Sequence, residues 1–575
     1  MIALTILPTL LACVGLSIAQ SETAPPPGDT YGGNSLAVIK DSDVVSQAFP
    51  EIDIELLSPY FLNPGRRNAG FVNGTQGPTS LTELDYFVRS IADRNDWITY
   101  RPAEFQSEEG RPLPYVYLSA PAQDTASVGI ASANASSDSC HFHAGVEHCT
   151  PGNDDSSTSD NKKLKVYIQA AIHGNEPAAD EGALALLGKM DANQTWTASL
   201  LEKMDILILP RWNVDGVAYF QRRMACNLDP NREAVKLDRE QTRNIWRRTH
   251  EYAAHIMIDM HEYTASTTFG EDAEYQHAVD AMLGIGADLN IHPNIRDQAL
   301  NTFIPAIGEK LDQYGLRHDF YVTAPANTTP PVFTQSGTGA RFAESAVGLT
   351  QAVSFLFETR GIRLADQNFQ RRVATQLLKL EAVLERARDD TENLYALIEG
   401  AREDFITSTD DIVITDATTT INRTYPLVSV TNGSVVEVPV TFIETPTVAN
   451  LTRSRPEGYL IPKTWSDIAA KLKILGLEIQ TLEYEYRGTV EALTVTSSTI
   501  DPTLYEGHVL NTVTTDASQK QVHLPAGSFY VSTRQKNAAL AFAVLEPESL
   551  DSYVTFNFVP VDANDEYPIY RVLAS

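Results

Sequence analysis

Between residues 56 and 400, short apolar runs alternate with longer amphipathic stretches. Short apolar runs are typical of buried strands, whereas stretches with apolar positions at helical spacing are typical of helices. The runs with strand character are LKVYIQA (164–170), DILILP (205–210), IMIDM (256–260) and VSFLFE (353–358). The stretches with helix character include residues 274–290, 296–314 and 369–399. This alternation predicts an α/β fold, a mixed open sheet flanked by helices.

Beyond residue 405 the pattern changes to short segments rich in Thr, Val and Ile, separated by turn residues. Strand-like examples are DIVIT, SVVEVPVTF, ALTVTSS, GSFYVST and YVTFNFVP. They predict a smaller β-rich C-terminal domain over 406–575, with one helix near 464–475. The chain of 575 residues also exceeds what one hydrophobic core normally supports, roughly 250–300 residues. We therefore expect two domains, the first covering 56–400.

The N-terminus is an apolar stretch, MIALTILPTLLACVGLSIA (1–19), that ends in small residues. This pattern is typical of a signal peptide, and the stretch is short for a membrane anchor. We expect a secreted, extracellular protein that leaves the membrane on signal cleavage, with a leader or surface arm over 20–55. Possible glycosylation sequons agree with export; they begin at Asn73, Asn134, Asn193, Asn327, Asn422, Asn432 and Asn450.

A polar insertion over 131–163 interrupts the first region and holds Cys140 and Cys149. In an exported protein, two cysteines in one polar loop predict a disulfide, with Cys226 left buried or free. The insertion is also rich in histidine, which is compatible with a second metal site or with a solvated loop. The histidines are His141, His143 and His148.

Composition and charge exclude several classes of protein. The 43% hydrophobic and 21% charged residues are close to globular averages, which argues against a disordered or coiled-coil protein. The formal net charge of −30 opposes binding to nucleic acid and to anionic membranes. The oligomeric state is left open by the sequence.

Three strand-like runs each end in a residue able to do chemistry. LKVYIQA leads into His173 and Glu176, IMIDM ends at His261, and VSFLFE ends in Glu358. Open α/β sheets bind ligands at the carboxyl ends of their strands. Two histidines and one carboxylate would hold a zinc ion and leave one position open for chemistry. A carboxylate at the end of an apolar run is costly to bury without a partner, so Glu358 is a candidate for function.

The segments HGNE, NVDG, DPNR, IDMH and FETRG occur in the order and at the sheet positions seen in the zinc metallocarboxypeptidase family. The chain therefore resembles that family, with a carboxypeptidase A-like fold over roughly residues 56–400. The resemblance implies that His173, Glu176 and His261 bind one zinc ion per chain, and that Asp229 hydrogen-bonds His173. It also implies that Glu358 is the general base that activates a water molecule.

The same resemblance implies a set of substrate-binding residues. Asn231 and Arg232 match the pair that binds the terminal carboxylate of a substrate. Arg222 matches the arginine that stabilises the oxyanion, with neighbouring Arg223 as an alternative. Arg111, in the segment SEEGR, is similar to a further substrate-binding arginine.

The chain departs from the digestive carboxypeptidases in the region that reads the substrate side chain. They carry a tyrosine shortly before the catalytic glutamate, whereas no tyrosine lies between Tyr321 and Glu358 here. Substrate preference is therefore open, and Arg341 or Glu344 is a candidate for recognition. The leader also looks too short for a globular inhibitory prodomain.

These observations predict a secreted zinc metallocarboxypeptidase that hydrolyses C-terminal peptide bonds of peptides or proteins. One alternative is an amidase or deacylase using the same zinc site. Another is a catalytically inactive binding protein, because a fold does not guarantee its chemistry.

Overall fold

The computed structural model describes residues 36–63, 69–121, 139–143, 146–150, 162–325 and 328–574. The predicted signal peptide, the first part of the arm and most of the insertion lie outside these residues.

The strands of the described residues are, in chain order, β1 (Ile98–Gln106), β2 (Pro112–Leu118), β3 (Ser139–His143), β4 (Val146–Thr150), β5 (Leu164–Ala170), β6 (Met204–Leu209), β7 (Ile256–Thr264), β8 (Thr268–Phe269), β9 (Tyr275–His277), β10 (Ala281–Ile285), β11 (His318–Phe320), β12 (Val322–Thr323), β13 (Val332–Gln335), β14 (Val353–Ile362), β15 (Ile412–Ser429), β16 (Val435–Arg453), β17 (Gly458–Ile461), β18 (Gln480–Thr481), β19 (Tyr486–Tyr505), β20 (His508–Leu524), β21 (Phe529–Ser532) and β22 (Tyr570–Val572).

The α-helices of the same residues are α1 (Asp43–Ser46), α2 (Pro59–Leu62), α3 (Ala69–Val72), α4 (Leu81–Ala92), α5 (Pro177–Ala192), α6 (Gln194–Leu201), α7 (Val214–Tyr219), α8 (Glu240–Tyr252), α9 (Pro293–Gln298), α10 (Ile304–Asp312), α11 (Ala343–Gly348), α12 (Phe369–Asp389), α13 (Thr391–Thr407), α14 (Ser466–Ile474) and α15 (Ala538–Leu545). Short 3₁₀ turns lie at Pro230–Arg232 and Lys463–Trp465, and a π-helical turn lies at Ala299–Phe303.

The first region folds around an eight-stranded sheet in the order β1-β2-β6-β5-β7-β14-β10-β11. The central pairs β6–β5, β5–β7 and β7–β14 are parallel, whereas β1–β2, β2–β6 and β14–β10 are antiparallel. Central parallel strands are covered on both faces, which explains why these runs are continuously apolar. The predicted mixed open sheet flanked by helices is confirmed.

Two local predictions in this region were wrong. Residues 274–290 form β9 and β10 instead of a helix; a fully buried strand and a buried helix cannot be told apart by apolar content alone. The stretch 369–399 contains two helices, α12 and α13, because the backbone leaves the helical conformation at Asp390 (φ −133°, ψ 28°).

The C-terminal region is β-rich, as predicted, but its strands are longer than the sequence pattern indicates. Hairpins β15–β16 and β19–β20 pair over most of their length, and each belongs to a six-stranded sheet. The predicted helix near 464–475 is α14. The run YVTFNFVP forms turns instead of a strand, and buries Tyr553, Val554 and Phe556. The apolar helix α15 was not predicted.

The hydrophobic core is continuous between the two regions. One buried cluster extends from Leu56, through the central sheet, to Ile569 near the C-terminus. At the junction, the rings of Phe405 and Phe542 lie 6.3 Å apart. The boundaries of the two domains, at 56–400 and 406–575, stay a prediction, but the two regions bury apolar surface together.

Inside the insertion, β3 and β4 form an antiparallel hairpin in which Cys140 is directly opposite Cys149. Cys226 is a free, partly buried cysteine. None of the helices among the described residues has the combination of length and apolar character that a membrane span requires.

Candidate metal centre and active site

The loop after β5 carries His173 and Glu176, and it is fixed by a close approach of two backbones. Gly174 packs against Gly216, so a Cβ atom at Gly174 would lie 2.1 Å from the carbonyl carbon of Gly216. Such an approach requires glycine. The segments HGNE and NVDG therefore hold each other in place, which positions His173 and Glu176 at the end of β5.

His261 and Glu358 are brought together by strand register. In the parallel pair β7–β14, His261 is directly opposite Glu358. Both side chains are almost fully buried, with exposed fractions of 1% and 7%. Backbone pairing alone thus places His261 and Glu358 side by side at the end of the sheet.

The three predicted ligands converge. His173 Nδ1 lies 2.8 Å from one oxygen of Glu176, and His261 Nδ1 lies 2.9 Å from the other. The two Nδ1 atoms are 3.1 Å apart. Two ring nitrogens this close, both facing a carboxylate, need a proton or a cation between them. In the part of the chain that the structure describes, this is the group of His, Cys, Asp and Glu side chains able to hold a metal ion, and its donors fit zinc.

An aspartate lies beside the outer nitrogen of each histidine. Asp229 lies 3.1 Å from His173 Nε2, and Asp259 lies 2.9 Å from His261 Nε2. Gln169 in turn donates to Asp259, at 2.9 Å. Such partners orient the rings and raise the basicity of the ligand nitrogens. Asp259 was not predicted, although its position two residues before His261 in the apolar run of β7 puts both side chains on one face.

The electrostatics of the centre favour a cation. Burial opposes the charged form of His261, yet the negative charges of Asp259 and Glu176 raise its pKa well above the usual value. For Asp229, burial raises the pKa, but the positive charges of Arg222 and Arg232 hold it well below its usual range. The Asp229 carboxylate therefore stays ionised and supplies negative charge beside His173.

Arg222 and Arg223 point to different parts of the molecule. Arg222 Nε donates to Asp229 at 3.1 Å, and its Nη1 lies 3.4 Å from Glu176. Arg223 instead donates to Glu506 of the C-terminal region at 2.9 Å. Of the two candidates for oxyanion stabilisation, Arg222 is the one that lies beside the metal group.

Asn231 and Arg232 lie on the same side of the centre. Asn231 Nδ2 is 3.4 Å from His261 Nε2, and Asn231 Oδ1 accepts a hydrogen bond from the backbone of Ala343 at 2.9 Å. The Arg232 guanidinium lies over the ring of Phe342, 4.8 Å from its centroid. Asn231 thus lies beside a predicted zinc ligand, and Arg232 Nη1 lies 4.0 Å from Asp229, the partner of the other histidine.

Arg111 has other partners. Its guanidinium donates to Asp215 at 2.7 Å and to Glu109, and it lies over the ring of Tyr219. Asp215 belongs to the NVDG segment, so these contacts connect Arg111 to the segment that packs against the HGNE loop. None of them reaches the predicted zinc ligands.

Glu358 has the surroundings of a proton acceptor. Burial raises the pKa of its carboxyl, and the charge of Glu176 adds to this, whereas His261 and Arg222 lower it. Glu358 Oε2 is buried and has no hydrogen-bond partner among the described residues. The ammonium group of Lys379 donates to the Glu358 backbone carbonyl at 2.9 Å.

In the region before Glu358, Tyr321 and Glu344 interact electrostatically with the active site, whereas Arg341 has a partner elsewhere. Burial and the charge of Glu358 raise the pKa of the Tyr321 hydroxyl, which places this tyrosine in the electrostatic field of the site. Glu344 is buried, and burial together with the charge of Asp259 raises its pKa to about 7. Arg341 instead pairs with Asp551 of the C-terminal region. Of the two recognition candidates, only Glu344 interacts electrostatically with the centre.

The chain is similar to proteins of one family. The sequence profile of the family described as zinc carboxypeptidase matches residues 98–294. Carboxypeptidase 2 of Trichophyton equinum is 43% identical over 545 residues, which is 94% of this chain and 96% of that protein. Carboxypeptidase 2 of Trichophyton rubrum gives the same identity and coverage. A solved metallo-carboxypeptidase from Burkholderia cenocepacia is 16% identical, with a TM-score of 0.37, covering 55% of this chain and 71% of that one. The chain belongs to the zinc carboxypeptidase family, whose members use zinc, and is a peptide-bond hydrolase.

Proposed function

We propose that the protein is a secreted carboxypeptidase in which His173, Glu176 and His261 hold zinc and Glu358 is the general base. The observation that carries the proposal is the convergence of two Nδ1 atoms and one carboxylate beside a buried glutamate. A bound zinc ion would supply a Lewis acid that polarises a carbonyl and lowers the pKa of a water molecule.

The chain's own residues supply the proton transfers. Glu358, whose Oε2 has no hydrogen-bond partner in the described part of the chain, accepts a proton from the attacking water and gives it to the leaving amine. The raised pKa of Glu358 suits this exchange, because a base that must also return its proton works best near the operating pH. Arg222 stabilises the negative charge that develops on the carbonyl oxygen.

Substrate orientation comes from Asn231 and Arg232. An arginine binds a carboxylate through two parallel hydrogen bonds, so Arg232 is suited to the free C-terminus of a peptide. Its position over Phe342 limits the directions that the guanidinium can take. This pair makes removal of the C-terminal residue the favoured reaction over cleavage within a chain.

The test compares peptides with free and amidated C-termini, for the wild type and for Arg232→Gln. We expect the wild type to prefer the free carboxylate by about 10- to 150-fold in kcat/KM, since a hydrogen bond to a charged group contributes about 1.5–3 kcal/mol. Arg232→Gln should lose most of that preference. Equal turnover of both peptides by the wild type would instead favour an amidase or deacylase.

Export is supported by the positions of the sequons. The asparagines of the sequons that the structure describes are all exposed: Asn73, Asn193, Asn422, Asn432 and Asn450. We expect the protein recovered from culture medium to begin near Gln20 and to lose mass on treatment with an N-glycosidase. A mature protein that retains residues 1–19 would contradict the signal-peptide assignment.

The disulfide between Cys140 and Cys149 belongs to the same proposal. Directly opposed residues in antiparallel strands have Cα atoms about 4.5–5.5 Å apart, within the range that a disulfide spans. Peptide mapping without reduction should recover the two cysteines in one linked fragment. Two separate thiol-containing fragments would contradict it.

A further inference from the structure

The turn that joins β19 to β20 has an unexpected residue at a strained position. Tyr505 is paired with His508, so Glu506 and Gly507 form a two-residue turn. Both have positive φ, 47° and 84°. Such turns favour Asn-Gly, and a left-handed conformation costs an ordinary residue about 1–2 kcal/mol. A glutamate kept at this cost is a reason to look for a function.

Glu506, in the C-terminal region, contacts the loop of residues 222–232 that carries Arg222, Asp229 and Arg232. Its carboxylate accepts a hydrogen bond from the backbone N–H of Asp229 at 2.8 Å and another from Arg223 at 2.9 Å. Its backbone carbonyl accepts from the fully buried Lys236 at 2.9 Å. The Glu506 side chain is only 9% exposed. The turn is therefore tied to the loop by charged and partly buried contacts, which are stronger than ordinary surface ones.

Asp229, which donates its backbone N–H to Glu506, contacts several residues of the proposed active site. While the backbone N–H of Asp229 donates to Glu506, the Asp229 carboxylate contacts His173 Nε2 and Arg222, and accepts from the backbone N–H of Asn231 at 2.9 Å. A shift of this backbone would therefore move a histidine partner, the oxyanion arginine and the carboxylate-binding pair together.

A second contact from the C-terminal region supports Asn231 through another loop. Asp551 accepts hydrogen bonds from the backbone and side chain of Arg341. Two residues later, the backbone of Ala343 donates to Asn231 Oδ1. Asn231 thus lies between two loops, and the C-terminal region holds both of them.

We propose that Glu506 is a positioning residue, through which the β19–β20 turn holds the Asp229–Arg232 segment in its working geometry. The C-terminal region is then part of the active-site wall, and the carboxylate-binding pair depends on it. The inference rests on the proposed function for its substrate readout, but its effect on zinc retention is independent of the substrate.

The test uses variants of the full-length zinc enzyme. Glu506→Ala removes both hydrogen bonds made by the side chain. Glu506→Asn removes them while keeping a residue that adopts positive φ readily, so the turn is retained. Glu506→Gln keeps a neutral acceptor for the Asp229 N–H. Glu485→Gln is the matched control. Glu485 is an exposed glutamate next to the same hairpin, and it pairs with Arg487 and His523.

We expect Glu506→Ala and Glu506→Asn to raise KM for a free-carboxylate peptide and to reduce the preference over the amidated peptide. Loss of zinc to a chelator should become about 10-fold faster, the lower end of what outer partners of a metal ligand contribute. Glu506→Gln should lie between these variants and the wild type. Glu485→Gln should match the wild type in KM, preference and zinc loss.

The inference is overturned if Glu506→Asn keeps wild-type KM, preference and zinc loss, whatever happens to its Tm. A change in Tm or in the active fraction alone would mean that the contact only stabilises the fold. If the wild type itself shows no preference for a free C-terminus, the proposed carboxylate-binding pair fails, while the zinc-loss comparison still decides the role of Glu506.

Discussion

The central strands β7 and β14 and the hairpin β19–β20 are both long paired segments, but they are buried differently. Every residue of β14 is buried, as are nearly all of β7, whereas β19 and β20 mix buried, intermediate and exposed positions. In the buried pair, a polar side chain persists only with partners or a task. The proposed catalytic residues therefore lie at the ends of the buried strands, whereas the hairpin is proposed to support them through its turn.

The largest effect should come from Glu176, the proposed metal ligand that both histidines face. We expect Glu176→Gln to lose zinc and to reduce kcat/KM by more than the about 10- to 100-fold that outer partners of a metal site contribute. The side chain that both Nδ1 atoms face would then lack the negative charge that attracts a cation. Metal analysis and peptide hydrolysis check this. Wild-type zinc content in Glu176→Gln would remove this residue from the ligand set.

Variants of Arg222 and Arg223 distinguish the proposed catalytic residues at the strand ends from the support that the hairpin turn gives. Arg222→Gln should reduce kcat by about 10²–10³-fold, the range found when one oxyanion donor is removed. Arg223→Gln, whose partner is Glu506, should have a clearly smaller effect. Steady-state kinetics of the two variants on one peptide give the comparison. A larger loss of kcat in Arg223→Gln would reverse the assignment.

Substitution of Lys379, which donates a hydrogen bond to the backbone of the proposed general base Glu358, should have a smaller effect on activity. Burial lowers the pKa of Lys379 to about 7, and in its charged form Lys379 lowers the pKa of Glu358. Glu358 must be ionised to accept a proton, so activity is lost as pH falls through its pKa. Lys379→Met removes the charge and raises that pKa, and the acidic limb of the kcat/KM profile should move to higher pH. A limb that stays in place or moves to lower pH would contradict this.

The smallest effect should be found on the exposed face of the hairpin sheet. Glu566 pairs with Lys520 at 2.8 Å, with both side chains well exposed. Surface pairs contribute about 0–1 kcal/mol, so Glu566→Gln should change the free energy of unfolding by no more than that and leave kcat/KM unchanged. Denaturant unfolding and kinetics check it. A marked loss of kcat/KM would mean that the sheet away from the turn also supports the site.

The same contrast in burial explains what the sequence could reveal. His261 and Glu358 follow apolar runs, so their polarity is conspicuous, and resemblance to a family supplied Asp229, Asn231 and Arg232. Glu506 lies in a polar hairpin where a glutamate is unremarkable, and its partner is 277 residues away along the chain. The strand at 281–285 was missed because apolar content alone does not separate a buried strand from a helix.

In the proposed mechanism, Glu358 acts as the general base at a zinc centre built by His173, Glu176 and His261. The most direct measurement is the zinc content of purified wild type and Glu358→Gln, together with release of C-terminal residues from a peptide mixture. We predict one zinc ion per chain in both proteins and a loss of about 10²–10⁴-fold in kcat for Glu358→Gln, the range attributed to a general base. Zinc present in both proteins with equal rates of release would contradict the account.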